Sequence, residues 1–271
     1  MKRVLGIDTA GSRLAVGAWS GDGAVVDVAG RESLEHSRRL VTAVAEVLER
    51  AGWSPEQVDL IAVSRGPGSY TGLRLGAMVA KTLGWAVGAP LVGVDSLAVL
   101  AANAAGACDA VVAALPARRG RLYARAYRLA AGGEAPGIPA APAPDALGPL
   151  EEGEAVPVLA RALAAARAAG GKVLVLGEGI RRLDPAELAS ALAAGPEGGP
   201  ASGVPVEPAT DVSVQPAPPG MDIPRGSVVA RLGLGIARQQ GTVPAVDFVP
   251  WYVGPDVASP ARGGWGIGTG R

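Results

Sequence analysis

The amino-acid sequence predicts an α/β protein in which mixed sheets are flanked by helices and divided between two domains. Short apolar runs alternate with amphipathic stretches over the first half, in the order β-β-β-α-β-α-β-α. The length of 271 residues suits two domains, and 49% of the residues are hydrophobic, enough for two cores. We expect an N-terminal lobe over 1–105, a smaller lobe over 106–226, a helix over 227–240 that packs back on the first lobe, and a mobile tail over 254–271.

The composition argues against several classes of function. The formal net charge is zero, and aromatic residues make up 4% of the chain. We therefore expect that the chain does not bind nucleic acid strongly by itself, because such binding needs an excess of basic residues or an aromatic stacking surface. Asp8 interrupts the apolar start of the chain, and no 18-residue window is apolar enough for a membrane span. Cys108 is the single cysteine, which predicts a cytoplasmic protein and a thiol that packs in the core.

Short β-branched runs separated by tight turns predict an antiparallel meander of three strands at the N-terminus, over 4–9, 14–19 and 24–28. Asp8 lies where the first strand meets its turn, and two roles are open for it. Its carboxylate can accept hydrogen bonds from the turn amides of Gly11 and Ser12, which we favour, or face a metal or a nucleotide phosphate through water.

Ser37 is predicted to be the N-cap of the first helix, and Gly52 is predicted to end that helix as its C-cap glycine. Apolar residues recur along it with a 3.6-residue period. His36 is the only histidine in the sequence. A zinc or iron site usually recruits a second histidine or cysteines, so we expect no such centre and assign His36 to a turn or an interface.

The stretch 64–81, SRGPGSYTGLRLGAMVAK, organises the rest of the chain. A buried strand over 58–63 leads into a glycine-rich loop, and a helix is predicted from Thr71, whose hydroxyl caps it. Small residues at every fourth position form a ridge along one helix face. The ridge comprises Gly72, Gly76, Ala80 and Gly84.

Two glycines within this helix cost about 1 kcal/mol each relative to alanine, so the sequence predicts a compensating contact. One alternative is a phosphate at the glycine-rich loop, where the helix N-terminus is partly positive. The other is a second helix backbone that lies unusually close. The candidate phosphate contacts are Asp8, Thr9, Gly66, Gly68 and Ser69.

The remaining elements follow from the same patterns. A strand over 91–94 precedes a helix capped by Asp95 or Ser96. An arginine-rich turn at 117–120, between strands over 110–115 and 122–127, can hold a phosphate or an acidic partner, or be solvated. Further elements are a helix over 156–169, a strand over 172–176, loops over 130–149 and 195–226, and a last helix over 228–239 capped by Ser227.

Five segments resemble one known family. GIDTA, LEHSRRL, IAVSRGPGSYTGLRLGAMVAKTL, PLVGVDSLAVLA and PARRGRLYARAY occur in that order within residues 4–128, and they are similar to the bacterial TsaB (YeaZ) family. The resemblance implies a fold of the actin, sugar-kinase and Hsp70 type, with duplicated ribonuclease H-like lobes. It also implies a non-catalytic subunit of the machinery that places threonylcarbamoyl on the adenosine next to the anticodon of tRNAs reading ANN codons.

The resemblance further implies partners and an interface. TsaD would be the heterodimer partner, TsaE a member of the larger complex, the free chain a homodimer, and tRNA an indirect partner only. No cofactor is firmly implied, and ATP or ADP at the partner interface stays open. TsaD carries a paired-histidine metal motif that this chain, with His36 alone, cannot supply. The implied interface residues are His36, Ser37, Leu40, Val44, Leu48, Thr71, Gly72, Arg74, Gly76, Ala80 and Gly84.

Two departures from the family pattern and two alternatives stand beside this reading. Pro116 replaces an acidic residue before the arginine-rich turn, and the run 250–254 lacks the family's Leu-Arg. A stand-alone small-molecule kinase of the same fold is the main alternative, motivated by Asp8 and the loop 66–68. A peptidase is a weaker one, because the sequence has neither paired metal ligands nor a nucleophile motif.

Overall fold

The computed structural model describes residues 2–21, 25–30, 36–130, 143–193 and 213–251. The first lobe holds a five-stranded sheet of order β3-β2-β1-β4-β5. The first three strands pair antiparallel, and β4 and β5 continue parallel to β1, which confirms the predicted meander and the mixed sheet. The strands are β1 (Arg3–Asp8), β2 (Ala15–Ser20), β3 (Val25–Ala29), β4 (Leu60–Gly66) and β5 (Leu91–Asp95).

The second lobe holds a six-stranded sheet of order β11-β10-β6-β7-β8, with β9 also paired to β7. Three of its strands, β8, β9 and β11, are short and were not predicted, and β8 and β11 fall in stretches expected to be loops. The strands are β6 (Ala110–Pro116), β7 (Leu122–Arg128), β8 (Asp145–Ala146), β9 (Glu151–Gly153), β10 (Lys172–Leu176) and β11 (Ser213–Pro216).

Helices cover both sheets. They are α1 (His36–Ala51), α2 (Tyr70–Val87), α3 (Ser96–Ala102), α4 (Ala155–Ala168), α5 (Glu178–Arg181), α6 (Pro185–Ala193) and α7 (Gly226–Gln240). The helices α5 and α6 were not predicted. Short 3-10 helices occur at Pro55–Gln57, Arg118–Gly120 and Ala245–Asp247.

The two faces of the first sheet bury alternate residues of each strand, as the two-residue period of a strand requires. Leu5 and Ile7 pack in the cluster that contains α1 and α2. Val4 packs on the opposite face in the cluster that contains α7. There Gly6 and Gly226 lie so close that a Cβ on Gly6 would be 2.0 Å from the Gly226 carbonyl oxygen.

The structure corrects the start of three helices. Helix α1 begins at His36 rather than after Ser37. Helix α2 begins at Tyr70, and the hydroxyl that caps it belongs to Ser69, not Thr71. Ser227 lies inside α7, where its N–H donates to the Asp27 carboxylate at 2.7 Å. The tail predicted over 254–271 lies outside the described residues, as do most of the loops 130–149 and 195–226.

Candidate functional site: the outer face of α2 and the cleft between the lobes

The glycine-rich loop before α2 is anchored inside the first lobe. The Ser69 hydroxyl accepts the Gly72 N–H at 3.3 Å, and the Ser69 N–H donates to the Ala10 carbonyl at 2.7 Å. Gly68 faces the same carbonyl, because a Cβ there would be 2.5 Å from its oxygen. A Cβ on Gly66 would be 2.4 Å from the carbonyl oxygen of Trp251. The loop is therefore shaped by contacts within the chain.

The glycine ridge of α2 also packs inside the chain, and this corrects its predicted role. A Cβ on Gly72 would be 2.1 Å from the Thr9 carbonyl oxygen, and one on Gly76 would be 2.3 Å from the Thr9 hydroxyl. That hydroxyl donates to the Gly72 carbonyl at 2.8 Å. At the far end of the helix, Gly84 meets the Leu91 side chain. The close neighbours are thus Thr9, which directly follows β1, and Leu91 of β5, not a second helix.

Other residues expected at the interface are buried too. Ala80 has no exposed surface, and Leu40, Val44 and Leu48 of α1 belong to the core beneath the two helices. The expectation that they border a partner's helix is wrong, because they face inward. Thr71 and Arg74 are exposed. His36 and Ser37 lie in α1, but their side chains are outside the described part of the structure.

The side of α2 opposite the ridge is exposed and carries two large apolar side chains, Met78 and Trp85, beside polar residues such as Arg74. Met78 lies two residues, about 200° of helical rotation, from both Gly76 and Ala80. Trp85 follows Met78 by seven residues, close to two full turns, and therefore lies on the same side of the helix. Met78 is 61% exposed and Trp85 is 75% exposed. Helix α1 packs against α2 and adds Val41, which is 61% exposed. We call Val41, Met78 and Trp85 the outer face.

An apolar cavity of about 280 Å³ adjoins the outer face at the C-terminal end of α2. The segment that follows α7 closes one side of it. This segment is attached by a bridge between Leu91 and Val243 and by Lys81, whose amine donates to the Phe248 carbonyl at 3.1 Å. The cavity is lined by Gly84, Trp85, Pro90, Pro244 and Val246, among others.

Asp8 is buried and bonded, though not to the predicted amides. Its carboxylate accepts the Ala10 N–H at 3.1 Å and the Ser64 hydroxyl. Burial raises the pKa of Asp8, and these two hydrogen bonds partly offset the rise. The favoured structural role fits these bonds, but the partner amide is that of Ala10 rather than those of Gly11 and Ser12.

The Ser12 N–H is instead bonded to the other lobe. It donates at 2.7 Å to Glu178, whose second carboxylate oxygen pairs with Arg182. Glu178 is buried and stands across the cleft from the β1–β2 turn. The cavity that remains between Asp8, Ser12 and Glu178 measures about 20 Å³, space for about one water.

A second contact between the lobes is made by Asp95. Its carboxylate caps α3 by accepting the N–H groups of Leu97 and Ala98, which agrees with one of the two predicted caps. It also accepts the Tyr127 hydroxyl at 3.2 Å and lies 3.5 Å from the Arg125 guanidinium. Burial raises the pKa of Asp95, against the opposing effect of these donors.

Positive charge concentrates beside the N-terminal end of α2. The guanidinium groups of Arg74 and Arg118 lie 5.4 and 5.5 Å from the centroid of the Tyr70 ring. Arg119 follows with φ 58° and is the one non-glycine residue with positive φ in the described part of the chain. Arg118 and Arg119, which lie in the turn of the β6–β7 hairpin, are both exposed.

The structure also bears on metal binding, on the reactivity of the cysteine thiol and on membrane insertion. Among the described residues, no group of three or more His, Cys, Asp or Glu side chains is placed to hold a metal ion. Cys108 is half-buried, and burial raises the pKa of its thiol to about 11. No helix in the described ranges is long and apolar enough to cross a membrane.

Glu178, Tyr70 and the outer face were not among the functional candidates predicted from the sequence. The signal for the outer face was available, since Met78 and Trp85 share a 3.6-residue period with each other and not with the glycine ridge. The signal for Glu178 was weaker: an acidic residue between two glycines directly after a buried strand.

Comparison with known proteins supports the family resemblance. Residues 28–162 match the family model "TsaD: tRNA N6-adenosine threonylcarbamoyltransferase". The chain is 34% identical over 125 residues to the tRNA threonylcarbamoyladenosine biosynthesis protein TsaB of Bacillus subtilis, and 34% identical over 128 residues to that of Escherichia coli. Each match covers 46% of this chain and 55% of the relative, so the chain spans about half the length of the curated relatives it matches.

The solved structure of YeaZ from Pseudomonas aeruginosa superposes with a TM-score of 0.68 at 23% identity, covering 93% of this chain and 100% of that one. The predicted resemblance to the TsaB (YeaZ) family is therefore confirmed. The superposition and the observed topology also confirm the predicted fold class of mixed sheets flanked by helices.

Proposed function

We propose that this TsaB-like chain is a non-catalytic subunit that binds a TsaD-type threonylcarbamoyltransferase and activates it. With TsaE, the assembly would transfer threonylcarbamoyl to the adenosine next to the anticodon of tRNAs that read ANN codons. The observation that carries the proposal is the outer face, an apolar surface on the two helices through which the family is expected to bind its partner.

The outer face has the composition of an interface core. Exposed methionine and tryptophan are enriched where proteins bind each other, and a buried tryptophan is among the commonest binding hot spots. Met78, Trp85 and Val41 are each more than half exposed. A partner helix laid over α1 and α2 would remove all three from water, which is favourable by about 25 cal/mol per Å² of apolar surface.

The cavity beside Trp85 gives the partner a second point of attachment. Its volume of about 280 Å³ is large enough for a bulky apolar side chain. Its rim continues the outer face, since Trp85 belongs to both. We expect an apolar side chain of TsaD to enter it, and in the free chain the same surface can serve a homodimer.

The cleft between the lobes supports a non-catalytic role. Pockets that bind small molecules usually have volumes of about 300–1,000 Å³, whereas about 20 Å³ remains between Asp8, Ser12 and Glu178. The kinase alternative needs a nucleotide in this cleft, and no observation favours it. A TsaD-like metal site needs two histidines, and the sequence has one.

Binding is tested with the TsaD of the same organism by calorimetry, using three variants. Trp85→Ala is expected to weaken affinity by about 30-fold, which is the loss of a typical hot spot, and Met78→Glu by at least as much because it places a charge in an apolar contact. Ala189→Glu, on the exposed surface of α6 in the other lobe, adds the same charge and should bind normally.

Function is tested by threonylcarbamoyl transfer to tRNA, with purified TsaD, TsaE and threonylcarbamoyl-adenylate in the presence and absence of the chain. Transfer should depend on the chain and should fall with Trp85→Ala in proportion to lost binding. Equal transfer without the chain would refute the proposed function.

A further inference from the structure

We propose that Tyr70, Arg74, Arg118 and Arg119 form a binding surface for RNA on this chain. The inference goes beyond the proposed function, in which tRNA is an indirect partner. It rests on the proposed function in one respect, because a role in tRNA modification is the reason to choose RNA over other polyanions as the ligand. We call these four residues the hairpin patch.

The geometry of the patch concentrates positive charge around one aromatic ring. Arg74 comes from α2 and Arg118 from the turn between β6 and β7, yet both guanidinium groups lie within 5.5 Å of the Tyr70 ring centroid. Tyr70 is 43% exposed. Both guanidinium groups lie over the ring, and RNA bases stack on arginine guanidinium planes as well as on aromatic rings while the charge neutralises the backbone.

The arginines of the patch have no acidic partner among the described residues. Arg121, next in the hairpin, is neutralised by Glu152 at 3.6 Å, whereas Arg74, Arg118 and Arg119 form no such ion pair in that part of the chain. Like charges held together repel, so this arrangement gains stability when an anion arrives.

The backbone of Arg119 adds an independent sign of function. Its φ of 58° and ψ of 40° are left-handed, a conformation that is unfavourable for an arginine. Gly120, which adopts that conformation without cost, follows it directly. Strained residues of this kind cluster at binding sites, and here the strained residue is one of two successive arginines in an exposed turn.

The shape of the patch favours a polymer over a mononucleotide. Neither of the two cavities described above borders these four residues, and a mononucleotide is normally bound in a concave pocket. A single-stranded or loop region of RNA can instead lie across an exposed surface, with phosphates on the arginines and a base stacked on the cluster of guanidinium groups around Tyr70. Tyr70 lies about 22 Å along α2 from Trp85, so RNA bound at the patch would leave the Trp85 end of the proposed partner surface uncovered.

The test measures binding of a fluorescently labelled tRNA by anisotropy at several salt concentrations, with the full chain alone and with its complex with TsaD. Arg118→Ala/Arg119→Ala should weaken binding about tenfold at low salt and lower the slope of log K against log salt by about 1.4, the loss of two phosphate contacts. Tyr70→Leu should weaken binding about tenfold with the slope unchanged, and Tyr70→Phe should bind normally.

The matched control is Arg128→Ala/Arg238→Ala, which removes the same charge at two exposed arginines elsewhere. An equal loss in the control would overturn the proposal, because the binding would then follow net charge alone. So would absence of any effect of the hairpin variants on RNA binding. Displacement of the RNA by ADP would indicate a mononucleotide site, and displacement by polyglutamate an acidic protein partner; either would also overturn it.

The TsaD affinity of each variant separates this proposal from the proposed function. Hairpin variants that bind TsaD normally but lose RNA support the patch. If the wild-type chain does not bind TsaD, the proposed function is refuted. If in that case the hairpin variants still lose RNA affinity and the control variant does not, the RNA-binding proposal is nevertheless supported.

Discussion

Replacing Gly76 by alanine should destabilise the first lobe even though alanine is the better helix former. The reason is the close approach of Thr9, whose hydroxyl would lie 2.3 Å from the new Cβ. The next nearest atoms, Cβ and Cγ2 of Thr9, would be 3.5 and 3.6 Å away, which is ordinary contact. The clash is therefore with one buried hydroxyl, which also donates to the Gly72 carbonyl at 2.8 Å.

The magnitude follows from two opposing effects. Alanine gains about 1 kcal/mol over glycine in a helix interior, while overpacking a close-packed site costs about 1–3 kcal/mol. Turning the Thr9 hydroxyl away to relieve the clash loses a buried hydrogen bond of about 1 kcal/mol. We expect a net loss of about 1–2 kcal/mol in the free energy of unfolding. Removing the hydroxyl with Thr9→Ala should reverse the sign, so that Gly76→Ala then stabilises by up to about 1 kcal/mol.

The assay is urea unfolding of the two single variants, the double variant and Gly235→Ala. Gly235 lies in α7 with nothing within 4 Å of a built Cβ, so its replacement should stabilise by about 1 kcal/mol and report helix propensity alone. A Gly76→Ala variant as stable as Gly235→Ala, or the same effect in both Thr9 backgrounds, would refute the packing argument. Gly76→Ala should also bind TsaD with unchanged affinity, because the ridge faces inward.

Two further predictions concern buried titratable groups. Asp8→Ala should lower the free energy of unfolding by about 2 kcal/mol, since Ala10 N–H and the Ser64 hydroxyl lose their acceptor, whereas Asp8→Asn keeps an acceptor and should cost less. Because the folded pKa of Asp8 is raised above 3.8, the folded state holds the proton more tightly. The stability of the wild type relative to Asp8→Asn should thus fall as pH rises from 3.8 through the folded pKa in urea titrations, and a rise would contradict the assignment. For Cys108, a pKa of about 11 against 9.0 predicts reaction with a thiol reagent at pH 8 about 100-fold slower than in the urea-unfolded chain, and equal rates would contradict it.

Local patterns were enough for most of the first lobe. The β-branched runs of β1, β2 and β4 and the 3.6-residue period of α1 are properties of neighbouring residues, so they can be read without knowing the fold. The short strands β8, β9 and β11 could not be predicted, because residues such as Asp145 and Ala146 are held extended by pairing with β7 rather than by their own preference.

The glycine ridge shows what residue spacing can predict and what only the structure can supply. Its spacing correctly predicts that something lies very close to α2, since glycine within a helix needs a compensating contact. Spacing carries no information about which atoms fill that place. The structure puts Thr9 there, and thereby turns the apolar side with Met78 and Trp85 outward.

Sequence patterns were sufficient to predict the main elements of the first lobe, the lack of a second histidine and the resemblance to TsaB. They could not show that the ridge is internal, that Glu178 bonds Ser12 from 166 residues away, or that Arg118 meets Tyr70. The physical reason is that hydrogen bonds and packing act between neighbours in space, and a chain of two lobes brings distant residues together through its loops and sheet order.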